Sequence, residues 1–308
     1  MTKVFIDGSA GTTGLRIRER LSDRKDLELI ILPEETRKDP AARANALNSA
    51  AVSFLCLPDA AAIEAASFVT DPDAVIIDTS TAHRVAEGWT YGMPELAGQR
   101  EKLKVAKRIA NPGCHATGFI SLIAPLVAAG LIQKNARLSC FSLTGYSGGG
   151  KKMIAEYESP DMDPLYQAPR QYGLGQTHKH LPEMAKICGL DHAPVFCPIV
   201  APYYAGMEVT VPLTPADTSA SLEEIKAVYR EYYQSDLIRF AEGTDENGFL
   251  SAGTFAGRDD LEVAVYGNEE RILLVSRFDN LGKGASGAAI QNMNIVLGLD
   301  EKMGLVVK

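Results

Sequence analysis

The sequence predicts an α/β chain: a doubly wound parallel sheet, followed by an α+β domain with a mixed or antiparallel sheet. Three observations predict it. Up to residue 113, short apolar runs alternate with small-residue turns and amphipathic stretches, the rhythm of strand–helix–strand units. From about residue 136 the runs alternate apolar and polar residues, as half-buried strands do. The chain has 308 residues, which suits two domains better than one. Apolar residues make up 46% and charged residues 23%, an ordinary globular composition. The net charge of −8 gives no bulk attraction to nucleic acid or to an anionic membrane. Any anionic ligand must therefore be held by a few local groups.

"KVFIDG" reads as a buried strand, "SAGTTG" as a glycine-rich turn, and "TGLRIRERLSDR" as a helix carrying Leu15, Ile17 and Leu21 among charges. Gly8, Gly11 and Gly14 form GxxGxxG rather than GxGxxG. Glycine permits a tight turn and close backbone approach, and the helix start offers free N–H groups to a pyrophosphate. Ser9, Thr12 and Thr13 stand in the same turn, where a hydroxyl can reach a phosphate. A Rossmann-like dinucleotide site is the expectation; a plain turn needing small residues is the alternative. The next strand is "LELIILP", Leu27 to Pro33. NAD sites usually carry an acid at the end of this strand. Here Glu34, Glu35, Arg37 and Lys38 follow Leu-Pro, and a cation there favours the extra phosphate of NADP. Arg37 or Lys38 is the candidate, against a solvated charged loop. "VSFLCLPDAAAIEAASFV" runs from strand to helix, with Asp59 as the expected N-cap and Cys56 as a small core residue. "AVIIDTSTAHR" is a strand entering a polar loop. Loops beyond the carboxyl ends of parallel strands line the ligand crevice, which points to Pro58, Asp59, Ser80, Thr81, His83 and Arg84. "VAKRIANPGC" adds a short strand and a turn.

In the second half "ARLSCFSLTG" is a strand. "TGYSGGGKKM" is expected as a glycine-rich loop whose N–H groups, with Ser147, Gly148, Gly149 and Lys151 or Lys152, suit a phosphate. It is not a Walker A sequence, and a flexible surface loop is the competing reading. "GMEVTVPLTP" puts Met207, Val209, Val211 and Leu213 on one face, and Pro212 argues for an edge or irregular position. "SLEEIKAVYREYYQ" is a helix opened by a Ser221/Glu224 capping box. "DLIRFAE", "DDLEVAVYGN" and "RILLVSRFDN" are further strands. In "GKGASGAAIQNMNIVLGLDEKMG" a run of small residues precedes an apolar stripe of Ile290, Met293, Val296 and Leu297. This last helix is expected to close the first domain. The division is then residues 1–113 with 283–308 for dinucleotide binding, and 114–282 for catalysis and oligomerisation.

The five cysteines are Cys56, Cys114, Cys140, Cys188 and Cys197, an odd number with no CxxC pair. The start lacks the flanks of a signal peptide, and no run of 18 apolar residues occurs. Free thiols in a reducing cytoplasm are expected. Cys114 stands apart, in "NPGCHAT", where a rigid turn ends a strand and an apolar helix begins. A helix N-terminus favours the thiolate, so Cys114 is the candidate nucleophile. It needs an acid or base. His115 adjoins it, but successive residues at a helix start point about 100° apart, so it is a poor relay. In "THKHLPEM", His178 and His180 precede Glu183, with Pro182 in the first turn of a helix. A carboxylate in reach can fix an imidazole's tautomer. No HExxH and no paired-cysteine ligand set is present, so no metal is expected.

Taken together, "GSAGTTG", "DTSTAHR", "YGMPEL", "NPGCHAT", "SGGGKK", "HKHLPEM" and "DNLGKGASGAAIQNMN" resemble the N-acetyl-gamma-glutamyl-phosphate reductases, in their shorter sequence type. They run from residue 8 to residue 294. The resemblance implies NADPH-dependent reduction of N-acetyl-L-glutamyl 5-phosphate to the 5-semialdehyde and phosphate, in arginine biosynthesis. It implies Cys114 as nucleophile, His178 or His180 as acid–base with Glu183 orienting the pair, and Arg84 near the substrate. Asn111 and the glycine–lysine stretch complete the implied substrate set, and Asn280 and Gly284 join the cofactor set. A homo-oligomer, dimer or tetramer, built through the second domain's sheet, is implied as well. Two departures are visible: His115 where the longer type has an aromatic, and "DTSTAHR" for the more usual "DLSADFR". The rival is an aspartate-semialdehyde dehydrogenase acting on a non-acetylated acyl phosphate by the same thioester logic.

Overall fold

The apolar run at the start forms β1 (Thr2–Asp7), and the computed structural model describes the chain from there through all residues 1–308. After β1 come α1 (Thr12–Leu21), β2 (Leu27–Ile30), α2 (Pro40–Ser49), β3 (Val52–Leu55) and α3 (Asp59–Ser67). β4 (Val75–Asp78), β5 (Thr90–Tyr91), α4 (Gln99–Val105) and β6 (Arg108–Ala110) follow. The six strands form one sheet in the order β2-β1-β3-β4-β6-β5, parallel throughout. Its central strands β3 and β4 are fully buried, as strands covered on both faces by βαβ crossovers are. Val4 and Ile6 pack with Ile17 and Leu21 on one side, while Phe5 packs with Leu47, Ala62 and Ile76 on the other. β1 lies between β2 and β3, so the winding direction reverses at β1 and a crevice opens beyond its carboxyl end.

Two local expectations are corrected here. β2 stops at Ile30, before Pro33. Asp59 is the first residue of α3 rather than its N-cap; Pro58 holds the cap position, with φ −60° and ψ 153°. The Asp59 carboxylate instead accepts from the Thr81 amide at 3.0 Å and the Thr81 hydroxyl at 2.6 Å. Two donors on the neighbouring loop satisfy it, and it locks that loop to the start of α3.

The second half contains α5 (Cys114–Ala128), β7 (Ser139–Gly145), α6 (Gly150–Tyr157), β8 (Arg170–Gln171), α7 (Leu181–Cys188) and β9 (Val195–Ala201). Then come β10 (Met207–Leu213), α8 (Leu222–Tyr232), β11 (Ile238–Phe240), β12 (Leu261–Asn268) and β13 (Arg271–Phe278). These strands form a mixed seven-stranded sheet in the order β11-β12-β13-β10-β7-β9-β8. α5 is apolar all round, and every residue from His115 through Leu126 is buried. It lies on β10 and β13; a side chain at Gly118 would overlap Val209. The β10 alternation holds, and so does the Ser221/Glu224 capping box. Pro212 does not mark an edge, because β10 lies inside the sheet between β13 and β7. Pairing with β7 ends at Thr210, so Pro212 faces a strand only on its β13 side, opposite Leu273. Its missing N–H therefore breaks no ladder on the other side.

The chain ends with α9 (Gly287–Val296), whose Ile290 and Met293 join the cluster around Val4 and Ile17. Two compact units result: Met1–Pro112 with Ala285–Leu305, and Gly113–Gly284 with Val306–Lys308.

Candidate active site

In the first unit, the turn after β1 explains its glycines. Gly8 has φ +87°, in the left-handed region, and a Cβ there would overlap the Cys56 carbonyl beyond β3. A Cβ on Gly14 would overlap the carbonyl of Gly8, so α1 can seat on the turn only with glycine at that position. The Gly11 amide donates to the Gly8 carbonyl at 2.9 Å and the helix begins. The buried Thr12 hydroxyl has no hydrogen-bond partner. An orphaned hydroxyl beside the free amides of a helix start is a fit for a phosphate oxygen. Ser9 and Thr13 flank it in the same turn, and Pro58 opens α3 across the crevice. Past β2, Arg37 pairs with Glu34.

The loop after β4 is held from within. Buried Asp78 accepts from the Ser80 amide at 2.9 Å and the Ser80 hydroxyl at 2.7 Å, and lies 2.6 Å from His83 Nδ1. The His83 ring stacks on Trp89 with centroids 3.8 Å apart. Arg84 donates to the carbonyls of Asn111, at 3.0 Å, and Thr79, at 3.1 Å. Arg84 and Asn111 are thus brought together, and the Asn111 amide group donates to the Ala285 carbonyl at 3.0 Å. Sequence reasoning missed a second support: Arg43 of α2 donates to Asp7 at 3.0 Å, just before Gly8. A lone arginine in the small-residue stretch "PAARANALNS" was the available signal.

In the second unit, Gly113 caps α5 in an extended conformation and Cys114 is the first helical residue. Buried Glu183, in the first turn of α7, accepts from the Gly113 amide at 2.8 Å. The segment carrying the histidines is thereby bonded to the turn carrying the thiol. His178 Nδ1 accepts from the His180 amide at 3.2 Å, and the two rings are 4.7 Å apart, nearly perpendicular.

His115 does not lie apart from this group. Its ring is 5.7 Å from that of His178 and 5.6 Å from that of His180. Its Nδ1 is 2.7 Å from the Ser142 hydroxyl and its Nε2 is 2.7 Å from the Tyr172 hydroxyl. Burial, then the neighbouring His178, pushes its pKa down to about 3. It is therefore neutral at neutral pH and takes no part as an acid. Tyr172 was not among the expected residues. Burial and the nearby Cys114 raise its pKa, so it stays protonated.

The remaining expected residues fall in the same unit. A Cβ on Gly284 would come within 2.9 Å of the Cys114 Cβ. Asn280 donates to the Ser147 hydroxyl at 3.0 Å and accepts from the Gly206 amide at 2.9 Å. Gly148 lies against Asn280. The glycine–lysine stretch is corrected: it is no open loop. Tyr146–Gly149 makes one 3₁₀ turn and α6 begins at Gly150, with Lys151 and Lys152 exposed on it. Ile154 and Tyr157 supply the apolar spacing that makes the lysines helical.

Comparison with known proteins gives consistent results. Residues 3–106 match the family model described as semialdehyde dehydrogenase, NAD binding domain, and residues 114–280 match semialdehyde dehydrogenase, dimerisation domain. The chain is 44% identical to N-acetyl-gamma-glutamyl-phosphate reductase 2 of Nostoc sp., over 98% of this chain and 99% of that protein. It is 45% identical to N-acetyl-gamma-glutamyl-phosphate reductase of Brucella ovis, over 96% and 99%. Among solved structures, aspartate semialdehyde dehydrogenase II of Vibrio cholerae complexed with ASA superposes with a TM-score of 0.73 at 18% identity, covering 97% of this chain and 98% of that one. Aspartate semialdehyde dehydrogenase with NADP from Candida albicans gives 0.69 at 17%, covering 96% and 98%. Identities this low speak for the fold alone.

Proposed function

The chain belongs to the N-acetyl-gamma-glutamyl-phosphate reductases, and from that membership we infer how its own residues carry the family's reaction. It is an NADP-dependent oxidoreductase that reduces N-acetyl-L-glutamyl 5-phosphate to N-acetyl-L-glutamate 5-semialdehyde and phosphate, in arginine biosynthesis. The observation that carries the inference is the identity of 43–45% to several such reductases over nearly the full length of both chains.

The Cys114 sulfur attacks the acyl carbon, the bond to the phosphate oxygen breaks, and a thioester remains. Developing charge on the carbonyl oxygen meets the first-turn amides of α5. Those of His115 and Ala116 lie ahead of the first intrahelical bond, from Thr117 to Gly113 at 2.8 Å. Bound NADPH supplies the hydride that reduces the thioester. His178 or His180 holds the proton that the developing oxygen takes up, and removes it again as the thiolate is expelled and the aldehyde forms. Glu183 keeps the Gly113 turn in register with these imidazoles.

Gly8, Ser9, Gly11, Thr12, Thr13 and Gly14 cradle the cofactor's pyrophosphate, with Arg37 toward the adenosine phosphate. Pro58, Ser80, Asn280 and Gly284 complete that set. Arg84 holds the substrate's carboxylate end, Asn111 assists at the developing oxyanion, and Ser147, Gly148, Gly149 and Lys151 hold the phosphate.

Replacing Cys114 with serine tests the nucleophile. Phosphate-dependent turnover should fall on the order of 10³-fold or more, with NADPH binding kept. Turnover at an undiminished rate would remove the covalent mechanism. The phosphorylating, oxidative assay should use both N-acetyl-L-glutamate 5-semialdehyde and aspartate semialdehyde, and only the first should react. Activity with the second alone would transfer the chain to the rival reaction.

The chain forms a homo-oligomer through the outer face of the seven-stranded sheet. On that face Phe141, Val195 and Leu273 are 43%, 59% and 41% exposed. Cross-strand register puts Phe141, Cys197, Thr210, Pro212 and Leu273 on the same face of the sheet. Three large apolar side chains exposed on one sheet face are the support for oligomerisation, because isolated chains seldom leave apolar patches of this kind in water.

A further inference from the structure

Arg170 opens the edge strand β8, and tyrosines rather than a carboxylate hold its guanidinium. Its Nε and Nη2 both donate to the Tyr157 hydroxyl, at 3.2 Å and 2.9 Å. The guanidinium carbon lies 3.5 Å from the ring centre of Tyr166 and 5.3 Å from that of Tyr157. Tyr157 is buried and ends α6. Its ring stacks on that of Tyr146, with centroids 4.7 Å apart and planes inclined by 10°. Tyr146 stands directly before Ser147, Gly148 and Gly149. The stacked rings thus close the turn and α6 into one unit, and Arg170 ties that unit to the sheet.

The turn needs such a tie. Gly148, Gly149 and Gly150 have no side chains with which to fix their own conformation, and glycine keeps more backbone freedom than any other residue. Gly150 has φ +73°, in the left-handed region. Amides that receive an anion bind it best when already in place, because ordering them on binding cancels part of the gain. The start of the turn is held by backbone and by Asn280. The Tyr146 and Ser147 amides donate to the Tyr203 and Tyr204 carbonyls at 2.9 Å and 3.0 Å, and Asn280 donates to the Ser147 hydroxyl at 3.0 Å. The other end leads into α6, and there the Tyr146–Tyr157 stack returns the helix to the turn.

Strand register places the tie near its target. Arg170 pairs with Val200 of β9, and Val200 pairs with Thr144 of β7, so Arg170 and Thr144 share a face of the sheet. A Cβ on Gly148 would lie 3.5 Å from the Thr144 hydroxyl. Arg170 therefore stands two strand spacings, about 10 Å, from the residue against which the turn folds. An arginine suits this place and a lysine does not. A planar guanidinium can lie flat on one ring while its edge gives two N–H groups to a hydroxyl.

We propose that Arg170 is a positioning residue for phosphate: by clamping the Tyr157–Tyr146 stack it holds the Ser147–Gly149 turn ready to receive the anion. This role rests on the reading that the turn, with Lys151, holds the phosphate. Arg170 acts through Tyr157 and Tyr146, so it governs how tightly phosphate binds and leaves the cofactor's binding alone.

The test is the phosphate dependence of the oxidative, phosphorylating assay, with N-acetyl-L-glutamate 5-semialdehyde and NADP saturating. In Arg170→Ala the KM for phosphate should rise about fivefold or more, for the loss of a cation–π contact and two hydrogen bonds, while the KM for NADP stays the same. Arg170→Lys keeps the charge without the planar fork and should not restore the KM. Tyr157→Phe keeps the ring stack, removes only the acceptor, and should raise the phosphate KM by less. It also serves as the second variant should Arg170→Ala fail to fold. An unmoved phosphate KM in Arg170→Ala overturns the clamp. Full rescue by lysine overturns it too, because charge alone would then be the cause. So does an equal rise in the KM for NADP, which marks a general loss of structure. Ser147→Ala and Lys151→Ala separate the premise from the inference. If neither moves the phosphate KM, the phosphate assignment has failed and the role of Arg170 falls with it. If they raise it and Arg170→Ala does not, the assignment stands and the clamp alone has failed.

Discussion

His115 gains its importance at the scale of single residues from its burial rather than from its neighbour in sequence. Its pKa falls from an ordinary 6.5 to about 3 in the folded chain. Between those values the unfolded chain binds a proton that the folded chain refuses, so stability must rise with pH across that window. The contribution is complete above pH 6.5 and is lost as pH falls toward 3, at up to about 1.4 kcal/mol per pH unit. A His115→Gln protein, which has no such proton, should show a shallower loss of denaturation midpoint between pH 7 and pH 5. An unchanged slope would mean that His115 titrates normally. The place of Cys114 at the start of α5 was legible from sequence because its signal is local: Asn-Pro-Gly and then an apolar helix. The company kept by His115 was not legible. Side chains one position apart diverge on a helix, but Ser142 and Tyr172 come to His115 from a strand and a loop remote in sequence.

Among the elements, α1 shows how little freedom the glycine turn has. Gly14 faces the Gly8 carbonyl, so Gly14→Ala should push the helix start off the turn. We expect a loss of about 2 kcal/mol in stability and weaker NADPH binding, read by denaturation and by fluorescence titration. Gly11→Ala meets the same carbonyl at 3.4 Å, ordinary contact, and should be much milder. If both variants bind NADPH equally well, steric seating of α1 is not what the glycines serve. Gly8, Gly11 and Gly14 announced this turn in the sequence because the strand before and the helix after are both periodic. α6 was hidden by composition: three glycines suggested a loop, yet the lysines and the Ile154/Tyr157 spacing were already helical. Pro212 was read as an edge or irregular position, and the second of these holds. A proline marks a missing ladder bond, but whether a strand lies on that side depends on how far β7 extends.

For the whole molecule, the outer face of the seven-stranded sheet carries the remaining prediction. Phe141→Asp together with Leu273→Asp should shift the mass measured by light scattering toward a single chain while near-native helix content is kept. An oligomer that survives both charges would assign assembly to another surface. The expectation came from the family resemblance; alternating strand patterns reveal a half-exposed sheet, but no pattern in one chain says what covers its exposed side.

By itself the sequence determined the strand–helix alternation of the first half, the glycine turn, the helix that begins at Cys114 and the helix that follows the histidines. Each of these depends on residues close together in the chain, where spacing and backbone chemistry act directly. Only the tertiary structure decided that Glu183 bonds the Gly113 amide, that Asn280 meets Ser147, and that His115 joins Ser142 to Tyr172. Those pairings are made by strand register and helix packing across 27 to 133 residues of chain. No local preference encodes a hydrogen bond whose two ends are brought together by the burial of everything between them.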